Sequence, residues 1–185
     1  EEKVYSFWLH NLPGVGDRTI EKLLRRFGSA REVFYASHQE LKQVLKEKTL
    51  HQAAAFKKEF DPYKAYEQME KKKIRFYTIE DEAYPSRLRK LIHPPYGLYC
   101  LGSLPKEACP AVAVIGAREC SEYGKYMAEA FAGGMAKAGI SIISGMARGI
   151  DGIGQGAALK NGGRTYGVLG CGVDICYPAS NRTLY

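Results

Sequence analysis

Two stretches in the second half of the chain decide its fold: residues 111–118 read AVAVIGAR, and residues 140–151 read ISIISGMARGID. Each is a short apolar run rich in β-forming residues that ends at a small residue and leads into a helix-forming segment. A third run, residues 165–169, follows the turn Asn161-Gly162-Gly163. Because strands that alternate with helices form parallel sheets with right-handed crossovers, the predicted fold class is α/β, with a Rossmann-like parallel sheet.

The two crossover segments predict helices over Ser121–Lys137 and Asp151–Lys160. In the first helix five apolar residues share one side. These residues are Tyr123, Met127, Ala130, Phe131 and Met135. The chain stops after about three strands of the sheet, which leaves one edge uncovered, so we expect it to be a fragment of a longer protein.

The first 73 residues have the period of short helices and carry many capping signals. Residues 20, 23, 24 and 27 form one apolar face of a helix for which Asp17 is the expected cap and Gly28 the end. Ser29, Ser37 and Asp61-Pro62 are expected to begin three further helices, and Thr49 a fourth. This region is predicted to be a small all-α domain.

Residues 74–110 differ from both neighbours, because strand-like runs at Ile74–Ile79 and Gly97–Leu101 flank a short helical segment between two prolines. We therefore predict three parts. Residues 1–73 form the helical domain, residues 74–110 the connecting segment and the start of an extended Rossmann unit, and residues 111–185 a partial Rossmann-like domain.

Composition restricts the classes of function. The net charge is +7 and the sequence pI about 9.1, a balance that favours polyanionic partners. Five cysteines form no CxxC pair, so we expect no metal site, and their odd number fits reduced thiols in a cytoplasmic protein. No apolar run approaches the roughly 20 residues that span a bilayer, so we expect no membrane association.

Three segments follow the predicted strands, at residues 116–121, 144–151 and 170–181, and ligands of an open parallel sheet bind at that edge. The first two lead into helices, whose free N–H groups favour an anion. Arg118 and Arg148 add forked donors suited to phosphate oxygens. Gly116, Ser121 and Ser144 are expected beside them. Further basic residues are expected to extend this positive rim: Lys160, Arg164 and Arg182.

Other interpretations remain open at this stage. Asp151 is close enough in sequence to pair with Arg148, which would make that arginine structural. The turn Leu12–Gly16, followed by a basic helix, resembles a helix-hairpin-helix that contacts a DNA phosphate, but it is equally typical of a plain helix corner. No Walker motif is present, and all four histidines precede residue 111, so we expect no enzymatic activity.

Several separated motifs resemble the DprA/Smf family of DNA-processing proteins. They are VAVIGARECSEYG from Val112, ISIISGMARGID from Ile140 and NGGRTYGVLGCGVDICYPASNRTLY from Asn161, with weaker support from residues 84–103 and the LPGVG turn. The resemblance implies a sterile-alpha-motif-like helical domain before an extended Rossmann fold. It also implies a single-stranded DNA-binding protein that protects incoming DNA and loads the recombinase RecA during natural transformation. A homodimer at full length and no cofactor are implied as well.

Carried over by position, the family motifs assign DNA contacts to Gly116, Arg118, Ser144, Gly145, Arg148 and Gly149, and further contacts to Arg164, Asn181 and Arg182. The chain departs from the family at Gln155, where a histidine is usual, and at Gly152, Gly154 and Gly156, which we expect to loosen their helix. The alternative function is a nucleoside-monophosphate phosphoribohydrolase. Enzymes of that type carry a PGGxGT loop before a helix, whereas Asn161–Thr165 here precedes a strand.

Overall fold

A computed structural model describes all 185 residues, and the chain divides into two compact units, Glu1–Gly102 and Ser103–Tyr185. The first unit contains seven helices and a two-stranded antiparallel sheet. The second contains a three-stranded parallel sheet, two α-helices and a 3₁₀ helix. All five cysteines are free, and no helix has the length and apolar character needed to cross a membrane.

The first 71 residues form six helices: α1 (Glu2–His10), α2 (Asp17–Phe27), α3 (Ala30–Tyr35), α4 (His38–Leu41), α5 (Glu47–Glu59) and α6 (Pro62–Lys71). Three predicted caps are confirmed. Ser29 accepts the N–H of Glu32, Ser37 forms a capping box with Glu40, and Asp61 accepts two N–H groups of α6.

Two predicted helix starts are wrong. Gly16 occupies the N-cap position of α2, while Asp17 is the first helical residue and accepts the N–H of Tyr96 across the unit at 3.0 Å. The carboxylate is therefore used by a distant loop. Helix α5 begins at Glu47, two residues before Thr49, because Lys46 already adopts the extended cap conformation.

Strands β1 (Ile74–Thr78) and β2 (Gly97–Leu101) pair antiparallel, with Ile74 opposite Leu101, and helix α7 (Ser86–Arg89) lies between them in the chain. A Cβ on Gly97 would lie 2.5 Å from the Phe76 ring, so this strand start accepts only glycine without a shift of the ring. The predicted strands are confirmed, and both belong to the first unit. The domain division at residues 73 and 110 stays a prediction.

Aromatic side chains dominate the interior of the first unit. The Phe7 ring makes edge or tilted contacts with four other rings at centroid distances of 5.4–6.1 Å, those of Phe60, Tyr66, Phe76 and Tyr99. Trp8, Leu9, Ile20, Leu23 and Leu50 are almost completely buried. Burial of many large apolar side chains stabilises this unit, because each removes about 1.5–3 kcal/mol of unfavourable hydration.

The second unit confirms the predicted α/β class. Strands β3 (Ala111–Ala113), β4 (Ser141–Ser144) and β5 (Thr165–Gly167) pair parallel in the order β3-β4-β5, with crossover helices α8 (Glu122–Lys137) and α9 (Ile150–Lys160). A 3₁₀ helix follows at Ala179–Leu184. Strands β3 and β5 each end two residues earlier than predicted, which lengthens the loops that follow them.

The side of α8 that carries the larger apolar residues is not its buried side. Tyr123 and Phe131 are 72% and 59% exposed, whereas the buried residues of this helix are Ala128, Ala132, Gly133 and Ala136. The small side chains allow α8 to pack closely on α9 and the loop after it. A Cβ on Gly133 would lie 2.7 Å from the Asn161 amide nitrogen, so backbone-level contact takes the place of large side chains here.

The glycines of α9 also allow close packing, and the helix is continuous from Ile150 to Lys160. A Cβ on Gly154 would lie 2.9 Å from a Val114 methyl group, and one on Gly152 would lie 2.7 Å from the Asn181 amide nitrogen. Glycine at these positions lowers the helix propensity but allows the neighbouring groups to pack closely.

Candidate functional site

A cleft of about 330 Å³ opens at the carboxyl ends of the three strands, where ligands of parallel sheets bind. Its wall comes from the loops after β3, β4 and β5. The lining residues are Arg118, Gly145, Ala147, Arg148, Leu169, Gly170, Cys171, Tyr177 and Pro178. No carboxylate or imidazole is among them.

The loops after β3 and β4 contact each other through their backbones. Gly149 has φ +76°, and a Cβ there would lie 2.2 Å from the carbonyl oxygen of Ala117 and 2.6 Å from that of Arg118. The N–H of Ile150 donates to the Ala117 oxygen at 3.2 Å. A Cβ on Gly116 would lie 2.8 Å from the Ile150 side chain. The two loops that carry Arg118 and Arg148 are therefore held directly against each other.

Arg118 and Arg148 are both exposed, and neither side chain makes an ion pair or a hydrogen bond within the chain. Asp151 does not pair with Arg148: it is 7% exposed, and its Oδ2 accepts the N–H of Gly145 at 3.1 Å. Two guanidinium groups without acidic partners therefore lie on one cleft, and forked donors of this kind are suited to phosphate oxygens.

Not every predicted donor points to the cleft. Gly145 lines it, but its N–H is already used by Asp151. Ser144 is buried, and its hydroxyl donates to the Val114 carbonyl oxygen at 2.6 Å. Ser121 caps α8 by accepting the N–H of Gly124, which leaves its hydroxyl hydrogen available on an exposed side chain.

The two predicted contacts near the end of the chain differ in their surroundings. Asn181 donates its amide nitrogen to the carbonyl oxygens of Met146 and Ala147, at 2.8 and 3.0 Å. The amide nitrogen is thus used by the loop after β4, and the role of Asn181 as a strand contact stays a prediction. Arg182, in the same 3₁₀ helix, is exposed and has no ion pair.

Two predicted members of the rim lie at the other end of the sheet. Lys160 ends α9, about 15 Å along the helix axis from the cleft, at 1.5 Å per residue. Arg164 precedes β5, and its carbonyl oxygen accepts the N–H of Ile142 near the amino end of β4. In a parallel sheet, residues before a strand lie opposite those after it, so Lys160 and Arg164 do not join the cleft. The Asn161–Thr165 stretch lies there too, which removes the resemblance to a phosphate loop.

Residue-based reasoning missed the apolar and aromatic part of the cleft. Tyr177 is 66% exposed and follows β5 in the chain, and Leu169, Cys171 and Pro178 complete this wall. The sequence places residues 170–181 at the ligand-binding edge, but the contacts predicted there are polar side chains only. The exposed aromatic residue beside a proline, Tyr177-Pro178, is the sequence feature that indicates an aromatic wall.

The basic turn of the first unit is formed as expected. Gly14 has φ +74°, Gly16 caps α2, and Arg18 and Lys22 are exposed without ion pairs, whereas Arg25 pairs with Glu21 at 2.6 Å. Its interpretation as a helix-hairpin-helix stays a prediction.

Comparison with known proteins identifies relatives of both units. A protein from Synechocystis sp. named Smf is 29% identical over 188 residues, which cover 97% of this chain and 47% of that protein. The DNA processing protein DprA of Streptococcus pneumoniae is 38% identical over 112 residues, which cover 60% of this chain and 39% of that protein. The chain spans less than half the length of these curated relatives.

Two solved structures are similar. The X-ray structure of DprA from Streptococcus pneumoniae matches 98% of this chain and 62% of its own, with a TM-score of 0.76 and 28% identity. The structure of DNA processing protein A from Helicobacter pylori, described for its unique single-stranded DNA binding mode, matches 60% of this chain and 49% of its own, with a TM-score of 0.51 and 34% identity.

The family model of DNA recombination-mediator protein A matches residues 75–185, more than half of the chain. That span contains the whole cleft and the three loops that line it. The expected resemblance to DprA/Smf proteins is thereby confirmed, and this chain belongs to the DNA recombination-mediator protein A family.

Proposed function

We propose that the cleft of the second unit binds single-stranded DNA and that Arg118 and Arg148 hold its phosphates. The observation that carries this proposal is the pair of exposed, unpaired guanidinium groups on two loops whose backbones are in contact. Loops fixed to each other lose little conformational entropy on binding, which favours affinity.

Neighbouring groups complete the proposed surface. The Ser121 hydroxyl and Arg182 are available to further phosphates. Tyr177 presents an exposed ring in the same cleft as Arg148, and such a ring can stack on a base of any sequence. Phosphate contacts with a stacking platform are typical of proteins that bind single strands with little sequence preference.

The related Helicobacter pylori structure supports a single strand as the ligand, since that protein is described for its binding of single-stranded DNA. For the whole protein we propose, on family membership, that it protects incoming DNA, acts as a homodimer in the cytoplasm and loads RecA during natural transformation. We propose no catalytic step, because the lining residues include no carboxylate or imidazole that could serve as a general acid or base.

The test is a salt titration of oligo-dT binding with Arg118→Ala and Arg148→Ala. Each variant should bind about tenfold more weakly near 0.1 M salt, and the slope of log K against log salt should fall by about 0.7, because one phosphate contact is lost from a single strand.

Arg164→Ala is the matched control, since it removes the same charge at the opposite end of the sheet. It should leave both affinity and slope unchanged. Equal effects of all three substitutions would show that net charge alone attracts the DNA, and an unchanged affinity of the Arg118 and Arg148 variants would overturn the proposal.

A further inference from the structure

The loop after β4 contains a residue in an uncommon backbone conformation. Met146 has φ +56°, in the left-handed region that side chains other than glycine seldom adopt. Such a conformation is strained and persists only where its surroundings hold it. Met146 lies two positions before Arg148, so whatever holds Met146 also determines where the arginine is presented.

Three contacts hold Met146. Its N–H donates to the Gln155 Oε1 atom at 3.1 Å, and its side chain packs so closely over β5 that a Cβ on Gly167 would lie 2.5 Å from the Met146 sulfur. Gln155 is itself buried and donates to the Thr165 hydroxyl at 3.0 Å. The third contact is the bond from Asn181 to the Met146 carbonyl oxygen.

Asn181 uses one nitrogen to bind two consecutive carbonyl groups of the loop, those of Met146 and Ala147, at 2.8 and 3.0 Å. Both hydrogens of that nitrogen are thereby used, which leaves none for a DNA phosphate. Gly152 provides the space, since a Cβ there would lie 2.7 Å from the same nitrogen. The donor comes from a 3₁₀ helix more than 30 residues later in the chain.

We propose that Asn181 is a positioning residue: it holds residues 145–148 in the conformation that presents Arg148, and it acts on DNA only through that loop. This role rests on the proposed function of the cleft. Asn181 also links the segment after β5 to the loop after β4, which carries Arg148. The positions of these two walls of the cleft are therefore fixed relative to each other.

The first arm of the test uses the free protein. Amide hydrogen exchange of Gly145, Met146 and Gly152 should be about tenfold faster in Asn181→Ala, because the loop opens more often. Asn181→Asp, which has the same shape but no hydrogen to donate, should behave alike. Thr183→Ala, an exposed neighbour in the same 3₁₀ helix, should change nothing, and the N–H of Ile142 should stay protected in every variant that remains folded.

The second arm is a double-mutant cycle with oligo-dT. Asn181→Ala should weaken binding about five- to tenfold alone and add little in the Arg148→Ala background, since residues that act through one another are not additive. Losses that multiply would assign Asn181 to direct contact and overturn the proposal, as would unchanged loop exchange. Normal binding by Arg148→Ala would instead overturn the function of the cleft and with it the DNA role of Asn181. The exchange arm would still show whether Asn181 holds the loop.

Discussion

The two units of this chain are stabilised in different ways. In the first, large rings pack on one another: Phe7 alone contacts four of them. In the second, the buried residues of α8 are all alanine or glycine, and those of α9 are alanine and glycine together with Asp151 and Gln155. Several contacts there would be blocked by a single added methyl group. The first unit is therefore sensitive to the removal of atoms, and the second to their addition.

The units also differ in the pairing of their charged side chains. Lys3 pairs with Asp81 and Arg25 with Glu21 in the first unit, whereas Arg118 and Arg148 of the second have no acidic partner. A guanidinium left without a partner contributes little to folding, but it is available to a ligand. The second unit thus combines tight backbone packing with charges that only an external anion can neutralise.

The largest effect is expected from removing a ring of the first unit. Phe76 is 1% exposed, and Phe76→Ala should lower the free energy of unfolding by about 3–5 kcal/mol, measured by urea denaturation. Phe131→Ala in the second unit is the matched control, because that ring is 59% exposed and its loss should cost less than about 0.5 kcal/mol. Similar costs for the two variants would remove the distinction between the units.

Adding one carbon to the second unit should have the next largest effect. Gly149→Ala places a Cβ 2.2 Å from the Ala117 oxygen at a positive φ, whereas Gly162→Ala meets the same backbone restriction with no atom within 4 Å. The Gly162 variant should cost about 1–2 kcal/mol for the left-handed backbone. The Gly149 variant should cost about 1–3 kcal/mol more, because it also overpacks the junction of the two loops.

Thermal or urea unfolding measures both glycine variants, and oligo-dT affinity measures the effect on the loops. Only Gly149→Ala should weaken binding. If both variants lost the same stability, backbone conformation and not close approach would explain the glycines of this unit.

The smallest effect concerns the ion pair of the first unit. Burial alone would raise the pKa of Asp81, but bonds from Lys3 and from the Thr78 N–H and hydroxyl together lower that pKa below its usual value. Because the pKa is lower in the folded state, the carboxylate stabilises the unit above the unfolded pKa of about 3.9, and this contribution disappears as pH falls through the folded pKa.

Asp81→Asn should therefore lower the free energy of unfolding at pH 7 by about 1 kcal/mol, discounted for the partial exposure of the pair. The difference from the unchanged protein should shrink below about pH 4. Glu82→Gln, an exposed neighbour, should show neither effect. A difference that persists at acid pH would mean that the carboxylate charge is not what stabilises this turn.

Local features were predictable wherever the interacting groups lie within a few residues of each other. The caps at Ser29, Ser37 and Asp61 bind N–H groups two or three positions later, so the sequence order alone specifies the contact. The alternation of strands and helices from residue 111 likewise determined a parallel sheet, and with it the edge at which Arg118 and Arg148 lie.

Contacts between distant residues were decided by the tertiary structure. Asp17 was predicted as a cap, but it binds Tyr96. Asn181, for which a DNA contact is predicted, uses its amide nitrogen to bind Met146 and Ala147. The sequence shows which donor and acceptor atoms a polar side chain carries, but it does not show where the partner lies. A local cap, a distant backbone contact and a ligand contact therefore look the same in the sequence.

Sequence by itself determined the α/β class, the family and the two loops that carry the unpaired arginines. Only the tertiary structure decided which face of α8 is buried. The buried face carries alanine and glycine because the helix packs at backbone distance there, and the spacing of apolar residues in the sequence does not show this. It likewise decided that Lys160 and Arg164 lie away from the cleft and that Tyr177 lines it. The end of the sheet at which a residue lies, and how exposed its side chain is, depend on how the whole sheet and its helices pack. The identity of a single residue does not specify either.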